Sequence, residues 1–141
     1  MKHWSETSIF YHIYPLGLCN APELNNPASG CVNRIHEIYQ WLDPIQELGA
    51  NAIYLGPIFQ SRQHGYDTSD YYQIDRRLGS NADFQRLSEE IHRRGMRLVL
   101  DGVFNHVGRD FWAFRDLQKW GKQSAYRDWF VGVDFERRSP W

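Results

Sequence analysis

A short apolar run that ends in a cluster of polar side chains most constrains how this chain can fold. The run Leu98–Leu100 follows a helix-stop signal at Arg94-Gly95, and Asp101, Asn105 and His106 come directly after it. A continuous apolar run suits a strand buried on both faces of a parallel sheet. Polar groups at the carboxyl end of such a strand lie where parallel α/β folds build their sites. The alternative is a helix N-cap aspartate with incidental polar neighbours.

Strand-like segments alternate with helical patterns along the chain. The strand-like segments are residues 8–14, 52–58 and 97–104, which are rich in β-branched, aromatic and aliphatic side chains. Apolar residues repeat at spacings of three and four over residues 34–48 and 81–94, which predicts a helix in each range. The order of strand, helix and strand predicts right-handed crossovers and a parallel sheet.

Long connections leave the carboxyl ends of the predicted strands. Residues 16–33 and 59–79 carry no clear periodicity, and residues 107–141 form an aromatic-rich excursion. Loops this long in a compact domain usually carry function. An eight-stranded barrel takes about 250 residues, so this chain is either a small open sheet or the front of a barrel. Because the loops emerge from one end, we expect an incomplete barrel over residues 1–106 and the start of a loop subdomain over 107–141.

Two local features leave alternatives open. Pro44 interrupts the first helical pattern, so the helix either restarts there with Asp43 as its cap or continues with a kink. Cys19 and Cys31 could bridge a loop, whereas a reducing compartment favours two free thiols.

Composition and charge exclude several classes of partner. The net charge of −1 argues against binding to a phosphate backbone, so we expect no nucleic-acid partner. No apolar run approaches the ~20 residues of a membrane helix, and the amino terminus lacks the order of a signal peptide. We therefore expect a cytoplasmic protein without a membrane partner. Aromatic residues make up 16% of the chain, which suits stacking on sugars but also suits a core.

The motif Asp-x-Val-x-Asn-His over residues 101–106 resembles a signature of glycoside hydrolase family 13, the α-amylase family. Residues 48–59, 64–72 and 74–79 are similar to further segments of that family in the same order, most closely to its neopullulanase and cyclomaltodextrinase-like members. The resemblance implies the first three βα units of a TIM (β/α)8 barrel. It also implies a retaining enzyme that acts on α-glucans or maltooligosaccharides.

The resemblance assigns roles to individual residues. Tyr66 would stack on the sugar at the cleavage point, and His106 would donate a hydrogen bond to a hydroxyl of that sugar. Asp101 would be an orienting carboxylate that pairs with an arginine from a later strand, since an unpaired buried charge is costly. Asn105 is a weak candidate for a calcium ligand, because calcium takes about 6–8 oxygens, and no cofactor is required. From the residues alone, Tyr66 could instead be a buried loop aromatic and His106 a structural histidine.

The carboxylates of the chemical step have no counterpart in the sequence. Retaining hydrolysis needs a nucleophile and an acid about 5–5.5 Å apart, which this family takes from later strands. Residues 107–141 match none of the corresponding motifs, so we expect no catalytic residue here and an inactive chain. One alternative is a non-catalytic sugar-binding protein. Another is an unrelated open-sheet protein that uses Asp101 as a metal or phosphate ligand, although the loop after the first strand lacks a phosphate-binding glycine pattern.

Overall fold

Parallel strands with helices between them form the centre of the structure, a computed structural model that describes residues 3–137. The strands are β1 (Phe10–Ile13), β2 (Ala52–Leu55), β3 (Phe59–Ser61), β4 (Thr68–Ile74) and β5 (Arg97–Leu100). The helices are α1 (Pro15–Leu18), α2 (Tyr39–Glu47), α3 (Asn81–Arg93) and α4 (Trp112–Trp120). Short 3-10 turns cover Trp4–Thr7, Ile35–Ile38, Gly121–Gln123 and Arg127–Trp129.

The main sheet has the strand order β1-β2-β5, and both of its pairings are parallel. Ala52 of β2 pairs with Phe10 on one side and with Arg97 on the other, so the strands end level with one another. The predicted parallel sheet and its three segments are therefore confirmed. The carboxyl ends of these strands all meet at the same edge, which is where a parallel sheet places its functional side chains.

Each of these strands ends earlier than the sequence predicts. The last strand residues are Ile13, Leu55 and Leu100, whereas the apolar runs continue for three or four positions in β2 and β5. In β5 the reason is local, because the Asp101 side chain accepts a hydrogen bond from the Val103 amide and turns the chain. Val103 itself has a φ of 45°, which no strand tolerates.

Helices α2 and α3 cover the sheet with the apolar stripes that the sequence predicts. Leu42 and Ile45 of α2 and Leu87 and Ile91 of α3 are fully buried in one core with the strands. Pro44 lies inside α2, which is continuous through it, so a restart of the helix at that proline is wrong.

The start of α3 is confirmed as well. The Ser80 hydroxyl accepts a hydrogen bond from the Asp83 amide, and the Asp83 carboxylate accepts one from the Ser80 amide. This capping box satisfies free N–H groups of the first turn.

The predicted long loop at 59–79 contains a hairpin that the sequence reasoning missed. Strands β3 and β4 pair antiparallel, with Phe59 opposite Ile74 and Ser61 opposite Thr68. The register shifts on both sides of Gln60. Because the pairing is irregular and half-exposed, apolar and polar residues do not alternate regularly along these strands. That alternation is the pattern by which a strand is recognised in a sequence.

The aromatic-rich excursion also contains order that was not predicted. Helix α4 buries Ala113 and Leu117, which are four residues apart on one face. Trp112 and Trp120 at the ends of the helix are apolar but exposed, so the buried face cannot be recognised from the spacing of apolar residues in the sequence. Residues 138–141 of the predicted excursion lie outside the described residues.

Two expectations from composition can be compared with the described residues. Cys19 is buried and Cys31 is exposed, and both are free thiols. Over residues 3–137, the structure contains no helix with the length and apolar character needed to cross a membrane.

Candidate functional site

Asp101 lies directly after β5, and both of its carboxylate oxygens are engaged. Oδ2 accepts a hydrogen bond from the Tyr54 hydroxyl at 2.9 Å, and Oδ1 accepts one from the Val103 amide at 3.1 Å. Its own amide donates to the Leu55 carbonyl at 2.9 Å, which extends the ladder between β2 and β5 by one residue. The carboxylate is therefore held at the carboxyl edge of the sheet in a fixed orientation.

Tyr54 and His12 complete this arrangement on the neighbouring strands. His12 pairs with Tyr54 in the sheet register, and their rings stack with centroids 4.7 Å apart and planes 26° apart. Burial raises the pKa of Tyr54, and the hydrogen bond and charge of Asp101 raise it further. Tyr54 therefore stays a neutral donor at physiological pH. Sequence reasoning missed both residues, although each lies one position before the end of its strand.

Tyr66 lies on the connection between β3 and β4, in the hairpin that follows β2. The tyrosine side chain is 41% exposed, so a ligand can reach it. Its amide donates to Nδ1 of His64 at 3.2 Å, and the two rings lie 6.1 Å apart. Tyr66 makes a small contribution to the raised pKa of Tyr54, after burial and Asp101.

The backbone of His106 is tied to the hairpin that carries Tyr66. The Tyr71 hydroxyl on β4 donates to the Val103 carbonyl at 2.7 Å and to the His106 carbonyl at 3.5 Å. The loop after β5 therefore lies against the hairpin after β2, at the same end of the sheet.

The exposed His106 lines an aromatic cleft on that loop. The cleft has a volume of about 670 Å³ and includes Phe104, Trp129 and Phe130 in its walls. Among residues 3–137, no hydrogen bond joins the His106 side chain to Tyr66 or Asp101. The loop that follows Asp101 and carries His106 thus lies against the hairpin that carries Tyr66, and His106 lines an aromatic cleft there.

The aspartates around Tyr66 fix the loop rather than line the site. Asp67 accepts a hydrogen bond from the Gln63 amide at 2.9 Å. Asp70 accepts one from the Tyr72 amide at 2.7 Å. These contacts agree with the turn-forming habit of aspartate.

The surroundings of Asn105 do not fit a calcium ion. Asn105 is exposed, and within residues 3–137 no three His, Cys, Asp or Glu side chains lie close enough together to hold a metal ion. Calcium needs about 6–8 oxygen ligands, mostly from carboxylates and carbonyls. A lone exposed amide does not provide that donor set, and the roles of the neighbouring residues do not involve calcium.

A buried ion pair follows β4, and sequence reasoning missed it. Asp75 is fully buried and Arg77 is 5% exposed. The Arg77 Nε and Nη2 atoms donate to the two Asp75 oxygens at 2.9 and 2.8 Å, which is the bidentate geometry of a strong pair. Ser61 at the end of β3 donates to Asp75 through both its amide and its hydroxyl. The only sequence signal was three charged residues, Asp75 to Arg77, between apolar Ile74 and Leu78.

Comparison with known proteins gives independent evidence on the family of this chain. Residues 25–140 match the family model described as the α-amylase catalytic domain. The chain is 40% identical to neopullulanase 2 of Thermoactinomyces vulgaris over 94% of its own length and 25% of that protein. It is 38% identical to an intracellular maltogenic amylase of Bacillus subtilis, over 90% of the chain and 24% of that protein.

Solved structures agree with the fold. The cyclic α-maltosyl-(1→6)-maltose hydrolase of Arthrobacter globiformis superposes with a TM-score of 0.76 at 37% identity. The match covers 94% of this chain and 33% of that one. Compared with the curated relatives it matches, the chain spans about a quarter of their length.

Proposed function

This chain belongs to the α-amylase family, and on that premise we propose that it supplies sugar-binding residues to a retaining hydrolase of α-glucans. Asp101 carries the proposal, since it is held by Tyr54 and Val103 at the carboxyl end of a parallel strand, and Tyr66 lies in the hairpin that follows the neighbouring strand β2. Barrel enzymes build their active sites from this end of their strands. The named relatives, a neopullulanase and a maltogenic amylase, favour maltooligosaccharides as the substrate class.

In this proposal each residue has one role. The exposed Tyr66 ring provides an apolar face for a glucose unit, and His106 donates a hydrogen bond to a hydroxyl from the aromatic cleft. The Asp101 carboxylate orients an arginine that a later strand of the barrel supplies. Its two existing hydrogen bonds leave lone pairs free for that partner.

The bond-breaking carboxylates belong to other parts of the barrel in this proposal. Retaining hydrolysis needs a nucleophile and an acid/base on either side of the glycosidic bond. Tyr66 and His106 bind and orient the sugar, and the covalent intermediate forms on a carboxylate from another part of the barrel. We also assign the protein to the cytoplasm, as the name of the intracellular relative suggests.

Binding of maltohexaose tests the proposed role directly. The 141-residue chain and its Tyr66→Ala and His106→Ala variants would be titrated by saturation-transfer NMR. We expect measurable binding by the wild type and affinity about tenfold weaker in the Tyr66 variant, equivalent to roughly 1.4 kcal/mol. Tyr72→Ala is the matched control, because Tyr72 is 80% exposed on β4 and makes no hydrogen bond to Asp101 in the described part of the chain. Equal binding by Tyr66→Ala and Tyr72→Ala would contradict the proposal.

A further inference from the structure

The buried Arg77 reaches past its partner Asp75 and joins two loops. Its Nη1 atom donates to the carbonyls of Pro22 and Glu23 at 2.8 and 2.9 Å, in the loop that follows α1. The same atom donates to the Gln63 carbonyl at 2.6 Å, in the connection between β3 and β4. A guanidinium is a rigid planar fork, so it holds these acceptors at fixed angles to one another.

Tyr66 lies three residues after Gln63, the residue of the connection between β3 and β4 whose carbonyl accepts a hydrogen bond from Arg77. Between them, the His64 carbonyl accepts a hydrogen bond from the Tyr14 hydroxyl at 2.9 Å. Gly65 has a φ of 91°, which sets a sharp turn before Tyr66. The segment is therefore fixed at the Gln63 carbonyl, at the His64 carbonyl and by the turn. The Gln63 carbonyl, three residues before Tyr66, is the point that Arg77 fixes.

We propose that Arg77 is a positioning residue for Tyr66, so that its bond to the Gln63 carbonyl sets where the Tyr66 ring meets a sugar. The proposal rests on the sugar-stacking role assigned to Tyr66 above. A buried ion pair is by itself a weak source of stability, because desolvation offsets much of its attraction. The pair formed by Asp75 and Arg77 does more than neutralise charge, because its remaining donors hold carbonyls of both loops.

Arg77→Lys is the informative substitution. A lysine keeps the charge beside Asp75, but its ammonium is a compact point charge that cannot span a carboxylate and the Gln63 carbonyl together. Arg76→Lys is the matched control. The Arg76 guanidinium donates to the Pro27 carbonyl in the loop after α1, and its side chain makes no hydrogen bond to the connection between β3 and β4 within residues 3–137.

The position of Tyr66 can be read without any sugar. Protein labelled with 3-fluorotyrosine gives one fluorine resonance per tyrosine, and Tyr66→Phe identifies the resonance of that ring. We expect Arg77→Lys to shift or broaden the Tyr66 resonance and to weaken maltohexaose binding about tenfold. We expect Arg76→Lys to change neither.

An unchanged Tyr66 resonance in folded Arg77→Lys would overturn the positioning role. If Arg77→Lys does not fold, the double variant Asp75→Asn/Arg77→Gln removes both charges while keeping polar groups in place, and the same outcomes apply. Absence of sugar binding by the wild type would instead refute the proposed function. The fluorine measurement would still decide whether Arg77 positions the ring.

Discussion

Removal of a single hydroxyl at Tyr54 should measurably destabilise the chain. Tyr54→Phe deletes the donor that lies 2.9 Å from Asp101 Oδ2 and leaves the ring stacked on His12. A hydrogen bond to a charged group contributes about 1.5–3 kcal/mol. Here Asp101 keeps its bond from the Val103 amide, and the pair is only half-buried. We therefore expect a loss near the lower end of that range, about 1–2 kcal/mol.

Urea unfolding followed by circular dichroism measures this loss. With a slope of roughly 1–3 kcal/mol per molar urea, the midpoint should fall by about 0.3–2 M. Tyr11→Phe is the matched control, since Tyr11 packs against the core on β1 and its hydroxyl makes no hydrogen bond within residues 3–137. Equal midpoints for the two variants would refute the inference that the Tyr54 hydroxyl holds Asp101.

Two further substitutions test the backbone of the loop and the buried thiol. Gly65→Ala should lower the free energy of unfolding by more than about 1 kcal/mol, because φ is 91° and the new Cβ would lie 2.8 Å from the Pro57 Cβ. Gly30→Ala, with open space around it, should lie within about 0.5 kcal/mol of the wild type in the same urea titration. Burial raises the pKa of Cys19 from 9.0 to about 11, so its protonated form stabilises the fold fully below pH 9 and that stability is lost as the pH rises towards 11. Stability curves against pH should show a fall of about 2–3 kcal/mol in the wild type that Cys19→Ala lacks, and parallel curves for the two proteins would contradict this.

The sheet could be predicted because β2 and β5 carry continuous apolar runs, and β2, the central strand, is mostly buried. Residues 52–55 and 98–100 form these runs, which need no alternation to be recognised. The hairpin of β3 and β4 could not be predicted in this way, since its pairing is irregular and the buried pair of Asp75 and Arg77 lies next to it. That pair depends on contacts between residues far apart in sequence, which periodicity does not report.

Residues of the candidate site could be predicted only where they fall within a short sequence motif. Asp101 and Tyr66 fall within such motifs, so each could be singled out from the sequence. Tyr54 and His12 lie in ordinary strand sequence, and their roles follow from the register that stacks His12 on Tyr54, the donor to Asp101. The hydrogen bonds from Arg77 to carbonyls of two loops likewise cannot be inferred from the sequence, because they depend on where those loops lie in the fold.

A chimera tests most directly whether this chain binds the sugar while other strands perform the chemistry. Residues 1–141 would replace the matching quarter of neopullulanase 2 from Thermoactinomyces vulgaris, and the chimera and the isolated chain would be assayed on maltodextrin. We expect turnover by the chimera, its loss with Tyr66→Ala or His106→Ala, and none by the isolated chain. Turnover by the isolated chain that survives Asp101→Asn would contradict the proposed division of roles.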